Sequence, residues 1–306
     1  MVRNSKVLVA GGTGFIGSHL ISELISKGNE VISISKNINP KREHKNAQYI
    51  SHDLTQKINL SEFPLLEDID YIVNCSGYID HRSFWNGGRL IFNEHLSTTF
   101  ELTDLGINLK VKNLIHIGSS DEYGKNKSPI NECMRESPIS PYALGKLTST
   151  HYLQQCSKEG LIKTVVLRPF LVFGEMQSKN RFLPYLIDSC LKDKDFNVSQ
   201  GNQIRDYLYI KDFNRALINS MTNCKAYGEV FNIGSGNPIS IKEVITNVRE
   251  IIGKGNPILG GIPYRQGESM KLYADIKKAK DLLNWEPKYT FRESLKQVIE
   301  WYSKHG

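Results

Sequence analysis

The stretch Lys6-Val-Leu-Val-Ala-Gly-Gly-Thr-Gly-Phe-Ile-Gly-Ser-His-Leu20 decides the fold. Its first five residues form a short apolar, β-branched run that reads as a strand. Gly11-x-x-Gly14-x-x-Gly17 follows as a turn. From Ser18 to Lys27 the apolar residues Leu20, Leu24 and Ile25 recur at helical spacing, and Gly28 closes the helix. Glu30 to Ile34 reads as the next strand. Glycines between a strand and a helix let the backbone turn tightly and approach an anion. The helix N-terminus then offers unpaired N–H groups and the positive end of its dipole. This frame predicts a dinucleotide site around Gly11, Thr13, Gly14, Phe15, Ile16 and Gly17.

The same beat continues outward. Residues 48–50, 69–74, 113–117 and 164–167 read as strands, with a helical pattern over Phe92 to Leu105. Strands alternating with helices predict an α/β fold, a Rossmann-type doubly wound parallel sheet covered on both faces. Later, Arg181 to Leu191 reads as a helix and Asp206 to Ile210 as a strand. Ile241 to Ile252 reads as an amphipathic helix, with Ser240 and Glu243 at capping-box spacing. Phe291 to Lys304 reads as a surface helix. We therefore expect a dinucleotide-binding domain over residues 1–172, with residues 206–222 returning to it. A smaller C-terminal substrate-binding α/β region is expected over residues 173–306.

Composition narrows the function. With 40% hydrophobic and 23% charged residues, the 306-residue chain has a globular make-up. No apolar run is long enough to span a bilayer, and the start is too short for a signal-peptide core. Five scattered cysteines without a Cys-x-x-Cys disfavour a disulfide scaffold or zinc site and fit a reducing cytoplasm. The net charge of +7 is spread along the chain. No recognition motif accompanies it, so neither nucleic acid nor a membrane is the expected partner.

The end of the second strand bears on the cofactor. An acidic residue there would hold the ribose 2′-hydroxyl of NAD. Here the chain reads Ser35-Lys36-Asn37, followed by Lys41 and Arg42, a set suited to a 2′-phosphate. NADP(H) is therefore favoured, with NAD(H) possible. Asp53, after the third strand, can accept from the adenine amine.

A second signal is Tyr142-Ala-Leu-Gly-Lys146, which places a phenol and an ammonium on one helix face, with Pro141 at the helix start. A nearby ammonium and a positively charged nicotinamide would favour the phenolate and bring its pKa toward neutral pH. The phenol could then pass a proton while hydride moves. Ser119 or Ser120, at a strand end, can hydrogen-bond the same substrate oxygen.

With these segments in place, the chain resembles an extended short-chain dehydrogenase/reductase of the branch that remodels nucleotide sugars. Gly11–Gly17, Ser119–Gly124, Tyr142–Lys146, Leu167–Gly174, Arg205–Asp212, Phe231–Gly236 and Arg265–Glu268 carry the resemblance over nearly the whole length. Counting four residues back from Tyr123 selects Ser119 as the catalytic serine, with Tyr142 and Lys146; Ser120 and Asp121 are possible additional acid/base groups. The resemblance implies a cofactor shell of the glycine turn with Ser35, Lys36, Asp53, Leu54, Cys75, Asn93, Tyr142, Lys146 and Arg168. It implies that Ser119, Phe170, Arg181, Arg205 and Arg265 meet a nucleotide-diphosphate sugar, the arginines gripping the diphosphate. A homodimer through the helices near Phe92–Leu105 and Tyr142–Ser157 is also implied. Cys75 reads as a small buried hydrophobe, and the histidines show no metal spacing; His81 reads as packing that can also line the sugar pocket.

Three chemistries share this frame: 4-keto-sugar reduction, 4-epimerisation with bound NAD, and 4,6-dehydration. Dehydration needs an added acid and base, and Asp121 is one methylene shorter than the glutamate of dehydratase relatives. The Ser35-Lys36 loop favours the reductase, with the epimerase as the alternative. A cofactor-binding sensor or scaffold is the non-enzyme reading, disfavoured by an intact tyrosine and lysine. A role in polysaccharide precursor synthesis is implied by the resemblance alone.

Overall fold

The structure, a computed structural model, describes residues 2–37, 39–264 and 268–305. Alternation along the first strand, β1 (Lys6–Ala10), organises the sheet. Val7 and Val9 point into one apolar layer with Leu20, Leu24 and Phe213. Leu8 and Ala10 point into the opposite layer with Leu102, Leu105 and Leu153. A strand buried on both faces is the condition for a parallel sheet between two helical layers.

That sheet contains β1, β2 (Glu30–Ser35), β3 (Gln48–Ser51), β4 (Tyr71–Asn74), β5 (Asn113–Ile117), β6 (Thr164–Pro169) and a late-arriving strand, Val230–Ile233. Their spatial order is β3-β2-β1-β4-β5-β6 and then the late strand, all parallel. The order reverses between β1 and β4, and a ligand crevice opens beyond the carboxyl ends of strands at such a point. Helix α1 (Phe15–Ser26) covers one face. Helices α2 (Gly88–Asn108) and α3 (Pro141–Lys158) cover the other, packed against one another.

Past β6 the chain leaves the sheet and returns. Strand β7 (Leu171–Phe173) is followed by α4 (Phe182–Leu191), β8 (Asp195–Val198), β9 (Ile204–Arg205) and β10 (Tyr207–Tyr209). The run expected as a strand over 206–210 is shorter, since Ile210 already begins α5 (Ile210–Thr222). β10 pairs with β7 and not with the main sheet, whereas α5 packs on α1, β5 and β6. β11 (Val230–Ile233) is the late edge strand, so the sheet draws on residues well beyond 172. Then come β12 (Ile239–Ser240), α6 (Ile241–Ile252), β13 (Asn256–Leu259), β14 (Lys271–Leu272), α7 (Lys277–Leu283) and α8 (Phe291–His305). β9 is flanked by β12 and β14, and β8 pairs with β13.

Helix α6 starts as its sequence demands. Ser240 Oγ accepts from Glu243 N at 3.1 Å, and Glu243 Oε2 accepts from Ser240 N at 2.9 Å. Its buried face, Val244, Ile245 and Val248, meets Leu183, Leu186 and Ile187 of α4. The terminal helix is not merely superficial, because Leu295, Val298, Ile299 and Tyr302 complete the same cluster.

One buried carboxylate ties the chain's end to α5. Asp212 accepts from Arg215 and from the backbone N–H groups of Lys288 and Tyr289, at 2.9 and 3.1 Å for the latter two. Its carbonyl accepts from Trp285 Nε1 at 3.0 Å. Asp212→Ala would leave Arg215 and the N–H groups of Lys288 and Tyr289 without the carboxylate, while the carbonyl bond from Trp285 would remain. We expect a loss of about 3–5 kcal/mol of unfolding free energy, read as a fall in the urea midpoint; an unchanged midpoint would contradict the anchoring role.

Candidate active site

The glycine turn lies at the carboxyl end of β1, where the strand order reverses. Gly11 adopts φ +75°, and a Cβ there would meet Ser76 Cα at 2.8 Å. A Cβ on Gly17 would collide with the Gly11 carbonyl. Gly14 caps α1 with no side-chain hydrogen bond, and no acidic residue stands in the first turn. Its N–H donors therefore face the crevice beside a positive dipole end. Ser35 Oγ, at the tip of β2, is buried and has no hydrogen-bond partner in the protein. A close-approach backbone, free helix N–H groups and an orphaned hydroxyl at the second strand fit a dinucleotide.

The residues around that turn divide into those open to a ligand and those already committed. Thr13 Oγ1 donates to Asn37 O at 3.0 Å, tying the turn to the loop after β2. Phe15 and Ile16 pack toward the C-terminal cluster. Lys36 does not stand free for a 2′-phosphate: its ammonium lies 2.7 Å from Asp53 Oδ2. The lysine holds the Asp53 carboxyl down at about 2. Asp53 Oδ1 accepts from Thr55 N and Oγ1 at 3.0 and 2.8 Å, so its expected adenine contact competes with existing partners. Arg42 donates to Thr13 O and Met176 O. The Leu54 side chain, expected at the cofactor, is buried in the apolar core. Burial pushes the Cys75 thiol up to about 12, which disfavours the nucleophilic thiolate.

Tyr142 and Lys146 sit one turn apart on α3. Pro141 occupies the first turn, and Ser140 caps the helix by accepting from Ala143 N at 3.1 Å. Ser119 follows β5 and starts a short 3-10 turn, Ser120–Tyr123. Its Oγ accepts from Asp121 N at 3.1 Å. The Ser119 hydroxyl is beside the Tyr142 phenol and pulls its pKa down, but burial, first, and the Asp121 charge push it up well above its ordinary value. Lys146 Nζ, buried, donates to Ile117 O at 2.8 Å, and burial lowers its pKa to about 8. The expected lowering of the phenol is thus not supplied by the lysine.

Two elements of the site escaped the sequence. Glu122 is fully buried: Oε1 accepts from Ser119 N at 2.7 Å, and Oε2 accepts from Thr150 Oγ1 at 2.9 Å and Arg168 Nε at 2.8 Å. Arg168, 1% exposed, also donates to Glu136 Oε1 at 2.9 Å and stacks over Tyr123 at 4.6 Å. It therefore braces the Ser119 turn, and its guanidinium is committed to two carboxylates. The other is His95, on α2, edge-on to Tyr142 with ring centroids 5.2 Å apart. Burial pushes it down to about 3, so it is neutral. Asn93, expected at the cofactor, is exposed two residues earlier. Two residues turn a helix by about 200°, and the buried positions 88, 91, 95, 98 and 102 give the phase that selects His95.

On the substrate side, Ser120 is buried in its turn and Asp121 is half-buried, its carboxyl pushed up by burial and drawn down by His81 and Arg181. Arg181 is exposed at the start of α4. Arg205 donates to Glu268 and to Ile204 O, so a diphosphate would have to displace Glu268. Phe170 packs among Tyr123, Ile130, Ala274 and Ile276 instead of facing open space. Arg265 lies outside the described residues. Among the described residues no histidine, cysteine and carboxylate group could hold a metal, and no helix is long and apolar enough to cross a membrane.

Known proteins share this fold. Residues 7–234 match the model of the NAD dependent epimerase/dehydratase family. A putative UDP-glucose 4-epimerase of Methanocaldococcus jannaschii is 30% identical, over 98% of this chain and 99% of that protein. The crystal structure of a UDP-glucose 4-epimerase from Thermotoga maritima, with UDP-glucose, is 27% identical and superimposes with a TM-score of 0.89, covering 98% and 99% of the two chains. A UDP-glucuronic acid 4-epimerase from Bacillus cereus, in complex with UDP-glucuronic acid and NAD, is 29% identical with a TM-score of 0.88, covering 98% and 100%.

The depressed Lys146 has a measurable sign. Between about 8, its folded value, and 10.5, its ordinary one, the unfolded chain holds a proton that the folded chain has released. Stability from this group therefore rises with pH through that window, by up to about 3 kcal/mol. Urea unfolding from pH 7.5 to 10 should show a more positive slope for wild type than for Lys146→Met; equal slopes would refute the burial effect.

Proposed function

The chain belongs to the NAD dependent epimerase/dehydratase family, as an enzyme of the extended short-chain dehydrogenase/reductase type, and we propose that it is a UDP-hexose 4-epimerase working with retained NAD. The observation that carries this over the reductase expected from the Ser35-Lys36 loop is the Lys36–Asp53 pair, together with relatives whose names specify 4-epimerisation. A carboxylate at the edge of β3 repels a 2′-phosphate and is compatible with a free ribose hydroxyl. Ser35 and the glycine turn hold the dinucleotide in this reading.

When bound, NAD accepts the C4 hydride and gives it back. The protein's own share is proton and position. Tyr142 takes the proton of the C4 hydroxyl, and Ser119 donates a hydrogen bond to the same oxygen. Burial raises the phenol, so the positive charge of an oxidised nicotinamide is what lowers it toward its working range. Coupling the phenol to that charge confines proton removal to the oxidised enzyme. His95, neutral and edge-on, fixes the tyrosine ring without adding charge. Inversion requires the planar ketone to present its other face, so the sugar turns while the diphosphate stays anchored; Arg181 and Arg205 are the groups for that anchor.

A homodimer through α2 and α3 is part of this reading. It is supported by an outward pair, Phe100 and Tyr152, with ring centroids 4.5 Å apart across the two helices.

Incubated with UDP-galactose and no added cofactor, the purified protein should form UDP-glucose and release NAD on denaturation. Activity that appears only with stoichiometric consumption of added NADPH would favour the reductase and sink this reading. Tyr142→Phe should lower kcat by about 10³-fold while keeping NAD content within a few-fold.

A further inference from the structure

The loop that leaves β7 is fastened one carbonyl at a time. Glu175 O accepts from His19 Nε2 on α1 at 2.9 Å, and Met176 O accepts from Arg42 at 2.7 Å. Gln177 O accepts from the Tyr302 hydroxyl on α8, and Ser178 O accepts from the N–H of Arg181 at 2.9 Å. Met176 stands at φ +59°, a left-handed conformation that residues with a Cβ disfavour. A backbone held there needs surroundings that over-determine it, and such positions cluster at ligand clamps. The strain at Met176 turns its carbonyl to a side chain from a distant part of the chain.

That side chain, Arg42, also reaches the cofactor side. Its second terminal nitrogen donates to Thr13 O at 3.4 Å, inside the glycine turn. Thr13 Oγ1 donates in turn to Asn37 O, two residues past the orphaned Ser35 hydroxyl. One guanidinium thus joins the glycine turn and the loop after β2 to a loop 134 residues onward. Those first two elements are the ones whose shape fits a dinucleotide. A rigid planar fork can serve two carbonyls at once, whereas an ammonium is a single point of charge. Both bonds are partly buried and charge-assisted, which strengthens them. With its donors on the protein's own carbonyls, Arg42 is placed to brace and not to hold a 2′-phosphate.

We propose that Arg42 is a positioning residue that retains the dinucleotide. It ties the glycine turn and the loop after β2 to the Met176 carbonyl, and these elements must part before the cofactor leaves. This rests on the retained-NAD reading. The tie acts on the residence time of the cofactor and not on the hydride step, in keeping with the general rule that affinity is tuned mostly through dissociation. Met176 contributes only its carbonyl, so glycine at that position keeps the tie and relieves the strain.

The test follows the cofactor itself. Protein purified with its NAD is diluted into excess deuterium-labelled NAD and desalted at intervals, and the unlabelled NAD still bound is read by mass spectrometry. Arg42→Met keeps an apolar stem and loses both donors, and it should release NAD about 10- to 100-fold faster than wild type. Arg42→Lys should fall between the two, and it gives the same comparison if the larger change does not fold. Met176→Gly should exchange at the wild-type rate. UDP-galactose turnover by Arg42→Met should fall on dilution and recover with excess added NAD, which separates lost cofactor from lost fold. Exchange by Arg42→Met at the wild-type rate would overturn the inference alone, and a selective loss of NADP affinity in that variant would return Arg42 to a 2′-phosphate role. Turnover that excess NAD does not restore would overturn it too. Wild-type protein purified without NAD would remove the retained-cofactor reading and this inference with it.

Discussion

The Glu122 carboxylate is the constraint on which the site depends. It reaches three elements at once: the backbone of Ser119 after β5, Thr150 on α3 and Arg168 on β6. Its charge is balanced by Arg168 in a region without solvent. Burying such a pair costs several kcal/mol of desolvation per ion, so its retention is weak evidence for stability and better evidence for geometry. What it fixes is the position of the Ser119 hydroxyl relative to a phenol on a different helix. Placement errors of about 1 Å are costly in catalysis. Glu136 extends the pair and lies 3.9 Å from His151, so the brace runs from the end of β5 to the outer side of α3.

A second principle is the separation of charge across the candidate site. Burial pushes Tyr142 up and Lys146 down, which is the reverse of a preformed phenolate–ammonium pair. Both groups tend toward neutrality in the protein alone. A cationic ring brought into the crevice would favour the phenolate.

Much of this was legible beforehand, and the failures have physical causes. Periodicity placed β1, α1 and the alternation around them, because each residue there answers to a local rule. The Ser119, Tyr142, Lys146 set was legible because two of its members share a helix turn and the third ends a strand. Glu122 was not, since an acidic residue in the polar run Ser119–Tyr123 reads as a solvated turn. Its partner Arg168 is 46 residues away. Lys36 was misread for a related reason: its neighbour Asp53 is brought alongside only by the β2–β3 register, which pairs Ser35 with Ser51. His95 lay within reach of helical phase, which the resemblance to an asparagine at position 93 obscured.

The edge strand β11 also shapes how the molecule comes into being. Synthesis proceeds from the N-terminus, and residues 230–233 emerge after three-quarters of the 306-residue chain. Until then β6, with its buried Arg168 and Val166, has an unpaired backbone edge, and α5 is absent from the face it covers for most of that time. Pairings of such long sequence separation close slowly. The nascent chain thus carries an incomplete sheet off the ribosome, and a stalled or truncated product ending before Val230 would expose that edge to other chains.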